Sequence, residues 1–266
     1  MPVRMPHRIL LIAGAASALA VMPAAVSAAA WHGRYTTIDV PGAAATIAVD
    51  VNDFGVVVGF YFTSNGTEHG FIDRHGVFTS VNDPHAGTAS GQGTAVNAIN
   101  DLGVLVGTYI DANGVSHGFI DRHGVFTTVN HAHAGTAPGQ GTTLGFINDR
   151  GAVIGTYFNS RGKPVTFAGR PGQFTTVTDP AAAPFSTFTS AINDAGVIVG
   201  AYLDAQGVSH GFIDRHGAFT TVNDPHAGTA SGQGTVAFAI NNRGIIVGIY
   251  ADSHGTTHGF ELNNAR

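Results

Sequence analysis

The sequence predicts an all-β protein, a five-bladed β-propeller built from four-stranded antiparallel blades. Three observations predict it. A marker of Asn-Asp or Asn-Asn, any residue and Gly starts at Asn52, Asn100, Asn148, Asn193 and Asn241, in steps of 48, 48, 45 and 48 residues. Each unit holds four short apolar or mixed runs separated by turn chemistry. The second run of every unit is apolar throughout and ends in Gly. A fixed period of this length marks a propeller, a solenoid or an array.

Residues 1–30 read as a secretory signal peptide preceding one domain, 31–266. Arg4, His7 and Arg8 make a basic start, Ile9 to Val21 is a short apolar run, and Val26-Ser27-Ala28 and Ala28-Ala29-Ala30 are small-residue cleavage sites. The apolar run is short for a membrane span, and no second one follows. The expected location is secreted or periplasmic. The chain has no cysteine, so disulfides and thiol chemistry are excluded. Charged residues make up 11% of the chain, well below the usual quarter or so. Removing residues 1–30 takes away Arg4 and Arg8 and no acid, which moves the formal charge from −5 to −7. Lys163 is the one lysine. A nucleic-acid surface or a polybasic membrane patch needs the opposite balance.

The second unit shows the strand pattern. Its runs are Ala95 to Ile99, Val104 to Tyr109, His117 to Ile120 and Val125 to Val129. Tight turns join them at Asn100–Gly103, Asp111–Gly114 and Asp121–Gly124, with glycine where positive φ is needed. A longer link, Asn130 to Thr142, leads to the next unit. Three tight turns and one long link describe an antiparallel meander. The second runs, such as Val104-Leu105-Val106-Gly107, do not alternate apolar with polar. A strand of that kind is covered on both faces, as a blade between two neighbours is. The closing glycine is expected to let adjacent blades approach. Phe126-Thr127-Thr128-Val129 mixes polar with apolar residues, as an outer strand should.

The last unit has three runs, the third being Thr257 to Leu262. Tyr35-Thr36-Thr37-Ile38-Asp39 matches the pattern of a fourth run. The N-terminal strand is therefore expected to complete the last blade and close the ring, removing two unpaired edges.

The succession Ile-Asn-Asp-x-Gly, apolar run, Gly-x-Tyr and His-Gly-Phe resembles the bacterial extracellular repeat proteins of the HAF family, in which His-Ala-Phe stands at the place of His117-Gly118-Phe119. The match covers roughly residues 35–262, and the third unit departs from it with Thr166-Phe167-Ala168. The resemblance implies an exported repeat protein and no particular activity. In repeat length and blade count the chain is also similar to five-bladed lectin propellers, in architecture alone.

The candidate functional surface is the face of the long links, Asn82–Thr94, Asn130–Thr142 and Asn223–Thr235. The first and third are identical over thirteen residues and rich in hydrogen-bonding groups. Exposed loops of this kind are common recognition surfaces. The candidate ligand contacts are His85, His133, His226, Asp83, Asp224, Gln92, Gln140 and Gln233, and the candidate ligand is a neutral, hydroxyl-rich extracellular polysaccharide. These links carry no aromatic residue; Phe185 and Phe188 stand in the differing link near Asp179–Thr187. Gly91-Gln92-Gly93 precedes a strand, so it lacks the helix N-terminus of a phosphate loop. His69, His117, His210 and His258 are expected to hold loop to blade by bonding a backbone group or hydroxyl. Repeat-related residues spread around a ring, so no metal or cofactor is expected. The alternative is a structural or protein-interaction scaffold without small-molecule sites. A hydrolase or lyase is the least favoured reading. Glu68 and Glu261 are the only glutamates, and no Gly-x-Ser-x-Gly elbow exists. The chain is not expected to be an enzyme.

Overall fold

The computed structural model describes residues 37–263. The expected signal peptide, 1–30, and Tyr35 and Thr36 of the expected closing strand lie outside the described residues. The chain divides into two compact units, Met1–Ile38 and Asp39–Arg266, and every strand belongs to the second. Among the described residues there are nineteen strands and no helix. No helix among them is long and apolar enough to cross a membrane.

The first repeat comprises β1 (Ala45–Val51), β2 (Val56–Phe62), β3 (Glu68–Arg74) and β4 (Val77–Val81). The second comprises β5 (Gly93–Ile99), β6 (Val104–Ile110), β7 (Ser116–Arg122) and β8 (Val125–Val129). The third comprises β9 (Gly141–Ile147), β10 (Val153–Phe158), β11 (Pro164–Arg170) and β12 (Gln173–Thr176). The fourth comprises β13 (Thr187–Ile192), β14 (Val197–Leu203), β15 (Ser209–Arg215) and β16 (Ala218–Val222). The fifth has three strands, β17 (Gly234–Ile240), β18 (Ile245–Ala251) and β19 (Thr257–Asn263). Within each repeat, consecutive strands pair antiparallel, as the turn chemistry requires. Thr37 to Asp39 are in no strand.

The core lies between repeats rather than within them. Val58 and Val81 of the first repeat pack with Val96, Leu105, Tyr109 and Phe119 of the second. Val106, Ile120 and Val129 of the second pack with Leu144, Val153 and Phe167 of the third. Adjacent residues of β6, Leu105 and Val106, thus serve opposite interfaces. That explains why the second strands are apolar without alternation. A repeat that cannot bury its own apolar surface is stabilised by its neighbours.

The glycine ending each apolar run has a different reason from the one expected. Every first strand carries a bulge, with Val49, Asn97, Gly145, Ser190 and Phe238 as the extra residues. The bulge turns a carbonyl of the same repeat over the glycine. A Cβ on Gly107 would overlap the Ala95 carbonyl and stand 2.7 Å from the Phe119 ring. The close approach is therefore to the repeat's own first strand. Neighbouring repeats approach instead at the glycine of His-Gly-Phe, where a Cβ on Gly118 would lie 2.8 Å from Leu144 of the next repeat.

Two devices link consecutive repeats. On the face of the long links, single parallel bridges join Glu68 to Gly93, Ser116 to Gly141 and Ser209 to Gly234. Each of these glycines has positive φ, and a Cβ would overlap the partner's carbonyl. The fourth repeat has Ser186 at this place, the bridge is missing, and the strands divide there into a twelve-stranded and a seven-stranded sheet. On the opposite face runs a ladder. The side-chain amides of Asn52, Asn100, Asn148 and Asn193 donate to the carbonyls of Asn100, Asn148, Asn193 and Asn241. Beside it, the N–H groups of Asp53, Asp101 and Asp149 donate to the carboxylates of Asp101, Asp149 and Asp194, and that of Asp194 donates to Asn242 Oδ1.

Candidate functional site

The link Asn82–Thr94 is held at both ends and across its middle. The N–H of Asp83 donates to Thr94 Oγ1 at 2.9 Å. Gly91 donates to the Gly66 carbonyl, in the turn of its own repeat, at 2.9 Å. Gly87 donates to the Ile110 carbonyl of the next repeat at 2.8 Å. The Thr latch recurs from His131 to Thr142, Asp179 to Thr187 and Asp224 to Thr235. Val40 donates to Thr46 in the same way, at 3.0 Å, which gives Val40 the sequence register of Asp83 and Ile38 that of Val81.

The glutamines are used inside this framework. Gln92 accepts the N–H of Ala89 and donates to the Ala112 carbonyl of the next repeat. Gln140 accepts from Ala137 and donates to the Ser160 carbonyl. Gln233 accepts from Ala230. Their amides brace the loop rather than face outward.

The histidines stand differently. Asp83 is buried, and its Oδ1 accepts the N–H of His85 at 2.9 Å and lies 3.1 Å from His85 Nδ1. Its Oδ2 is buried without a hydrogen-bond partner among the described residues. The His85 side chain is 70% exposed, so a fixed carboxylate orients an exposed ring. Asp224 and His226 repeat this pair at 3.1 Å. His133 lacks it, because the place of Asp83 is taken by His131, whose Nδ1 accepts the His133 N–H at 3.3 Å.

Each of these rings lies beside a tyrosine of the next repeat. His85 is 6.2 Å from Tyr109, His133 is 6.4 Å from Tyr157, and His226 is 6.2 Å from Tyr250, between ring centroids. The histidines of His-Gly-Phe stack on the same tyrosines, His117 on Tyr109 at 4.8 Å and His258 on Tyr250 at 4.9 Å. Their ring nitrogens bond side chains rather than the expected backbone or hydroxyl groups. His117 Nδ1 lies 2.9 Å from Asn130 Oδ1, and its Nε2 lies 3.4 Å from Asp111 Oδ2. The expected tie of loop to blade is therefore present, with other partners. In the third repeat His131 takes over the stack, 4.0 Å from Tyr157 and nearly parallel to it.

The electrostatics follow these contacts. Burial raises the pKa of the Tyr109 hydroxyl, and the charges of Asp83 and Asp111 add to that. The His210 contact and then the Val208 N–H lower the pKa of Asp204. Burial lowers the pKa of His131, with His133 adding to it.

Three boundaries thus share an exposed loop imidazole beside a tyrosine. The structure brings His85, His133 and His226 each to such a place, with Asp83 and Asp224 behind two of them. Reading the sequence missed Tyr109, Tyr157 and Tyr250, and the turn carboxylates Asp111 and Asp252. The signal was available, since Tyr recurs in Gly-x-Tyr and each of these Asp precedes a stacked His by six residues. The boundary before the fourth repeat has Ala181 in place of a loop histidine. It shows instead a shallow depression of about 200 Å³ beside the exposed Phe185. Among the described residues no three His, Asp or Glu side chains converge as a metal site would need.

No family model matches the chain, and no curated protein matches it. Solved structures do. SapL1 lectin in complex with alpha methyl fucoside is 14% identical, with 82% of this chain and 81% of that one covered and a TM-score of 0.45. The Aleuria aurantia lectin, described as a six-bladed β-propeller, is 10% identical, with 82% and 72% covered and a TM-score of 0.40. TolB from Acinetobacter baumannii is 12% identical, with 84% of this chain and 55% of that one covered and a TM-score of 0.51. The likeness to TolB is one of fold.

Proposed function

We propose that this is an exported, non-catalytic five-bladed propeller that binds a neutral, hydroxyl-rich polysaccharide through repeated weak sites at its blade boundaries. The N-terminal segment is the fourth strand of the last blade in this reading. The register of Val40 on Thr46 supports that assignment. The observation that carries the binding role is the same exposed imidazole beside a tyrosine at three boundaries, His85, His133 and His226. An exposed ring nitrogen that can donate or accept suits a sugar hydroxyl. Sites of about millimolar affinity contribute only about 4 kcal/mol each. Linkage on one face raises apparent affinity for a polymer by roughly 10²-fold or more. Equal sites suit binding better than catalysis, which needs several different groups at one place.

A protein-interaction scaffold is the second reading. The observation favouring it is that Gln92, Gln140 and Gln233 are taken up within the loops. The test compares the wild type with the triple variant His85→Ala, His133→Ala, His226→Ala on immobilised neutral polysaccharides. Binding by the wild type and its loss in the folded variant is the expected result. Equal binding by both removes these histidines from the site, and no binding by the wild type favours the scaffold.

A further inference from the structure

The link into the fourth repeat is built unlike the others. From its latched Asp to its Thr, Asp179 to Thr187, it is shorter than Asp83 to Thr94. The other links are tied back to the repeat they leave by two backbone bonds. Gly139 donates to the Gly114 carbonyl and Ser116 to the Gln140 carbonyl, both at 2.9 Å. The latch and the strand registers put Pro184 at the place of Gly139 and Pro164 at the place of Ser116. Proline has no N–H to give. Neither bond forms, and the carbonyls of Gly162 and Phe185 do not receive those donors. The fourth repeat holds the link instead. Ala183 donates to the Leu203 carbonyl at 2.8 Å, Leu203 to the Ser186 carbonyl at 3.1 Å, and Ser186 Oγ to the Leu203 carbonyl at 2.8 Å.

The side chains change together with the backbone. Between the second and third repeats, His117 bonds Asn130, and Gln140 braces the loop. Val165, Thr178 and Phe185 stand at those three positions. All three line the depression of about 200 Å³ at this boundary, and Pro164, Val177 and Pro184 complete its apolar wall. Phe185 is 51% exposed and has a φ of 61°. A bulky residue in the left-handed region, half in water, is strained and poorly buried at once. Residues of that kind gather at ligand clamps.

We propose that this depression binds an uncharged monocyclic phenol. Its volume admits one six-membered ring, since a cavity of about 150 Å³ takes up benzene. Among the described residues no charged side chain lines it. Its polar atoms are few. Thr166 Oγ1 donates to the Thr187 carbonyl, and Thr187 Oγ1 accepts the N–H of Asp179. That leaves the Thr178 hydroxyl and the Phe185 carbonyl for a ligand. One phenolic hydroxyl can donate there while the ring lies against the apolar wall. A sugar would bring several hydroxyls into a wall that cannot pair them, at a cost for each. The boundaries of His85, His133 and His226 have the opposite balance, so this site is separate from theirs.

The probe is p-cresol, titrated into isotope-labelled full-length protein. It is expected to shift the amides of Val165, Val177, Thr178 and Phe185 saturably, with a Kd of about millimolar for a ligand of this size. The amides of His85, His133 and His226 should stay in place. Phe185→Gly suits the left-handed φ, so it should leave Tm close to that of the wild type and weaken p-cresol by about tenfold or more. Val165→His/Thr178→Asn puts back the pair seen at His117 and Asn130, fills the depression and should cause the same loss. No saturable shift at these amides overturns the proposal, and so does equal binding by the variants. A large fall in Tm for Phe185→Gly makes the ring a packing element and overturns the clamp. A stronger saturable shift at the same amides with methyl glucoside assigns the depression to a sugar and overturns the phenol. None of these variants touches a loop histidine, so the polysaccharide reading stands or falls separately.

Discussion

Asn148 donates its side-chain amide to the carbonyl of Asn193 in the next repeat at 2.9 Å, while its Oδ1 accepts the N–H of Ala152 in its own turn at 2.9 Å. One buried side chain closes a hairpin and hooks the neighbouring repeat. Asn148→Ala leaves the half-buried Ala152 N–H without its partner and removes a donor from the Asn193 carbonyl. The expected cost is about 1–3 kcal/mol. At this chain length that is a fall in Tm of roughly 2–4 °C per kcal/mol. Asn148→Asp keeps the hairpin acceptor and removes the hook, so the pair of variants separates the two roles. Thermal unfolding checks both, and an alanine variant as stable as the wild type would show that neither bond contributes.

A side chain of the next repeat comes close at Gly118. A Cβ there meets Leu144 of the next repeat at 2.8 Å and the Val129 carbonyl at 3.1 Å. Gly118→Ala should overpack the boundary by about 1–3 kcal/mol. Leu144→Ala opens a cavity on its own, at about 2–5 kcal/mol. Together they should cost clearly less than the sum of the two, because the second makes room for the first. Additive values in denaturant unfolding would mean that the methyl group and Leu144 do not meet.

Much of the fold was legible because the repeat is written in turn chemistry. Asn100–Gly103, Asp111–Gly114 and Asp121–Gly124 each became the tight turn their residues require, and β5 to β8 lie where the runs placed them. The double coverage of the second strands was legible too, and Leu105 and Val106 show it. The role of Gly107 was not, because a bulge at Asn97 changes which carbonyl lies above it and no composition rule marks a bulge. In the site, the histidines were found by their repetition, but their grouping around Tyr109, Tyr157 and Tyr250 was signalled only by the recurrence of Gly-x-Tyr. Each loop reaches across to the next repeat, and the Gln92 amide turned inward because its partner, the Ala112 carbonyl, belongs to that repeat. Contacts between repeats do not show in the pattern of a single one.

Gly93 and Gly124 separate two reasons for glycine. Both have positive φ, 124° and 91°. A Cβ on Gly124 meets nothing within 4 Å, whereas one on Gly93 overlaps the Glu68 carbonyl. Gly124→Ala should therefore cost only the left-handed backbone strain, about 1–2 kcal/mol. Gly93→Ala should cost more and should weaken the parallel bridge to Glu68. Hydrogen exchange at the Glu68 amide, which donates to the Gln92 carbonyl at 2.8 Å, should speed up in the second variant alone. Equal destabilisation by the two, with no change at Glu68, would remove the bridge from the argument.

His131 makes acid stability depend on one boundary. Burial, helped by the charge of His133, lowers the pKa of its imidazole. The ring lies flat on Tyr157, and its Nδ1 accepts the N–H of His133, so the folded chain holds it unprotonated there. In the unfolded chain the same ring takes up a proton near pH 6.5, the ordinary value for histidine. Below about that pH the unfolded state binds more protons than the folded one, and stability falls as pH falls. Above it both states are neutral and the site adds no pH dependence. The loss levels off only below the lowered folded value, where both states are protonated. His131→Gln removes the titration and leaves every other histidine in place. The Tm of the wild type should therefore fall further than that of the variant between about pH 7.5 and 5.5. Parallel curves for the two would show that His131 takes up its proton in the folded state as readily as in the unfolded one.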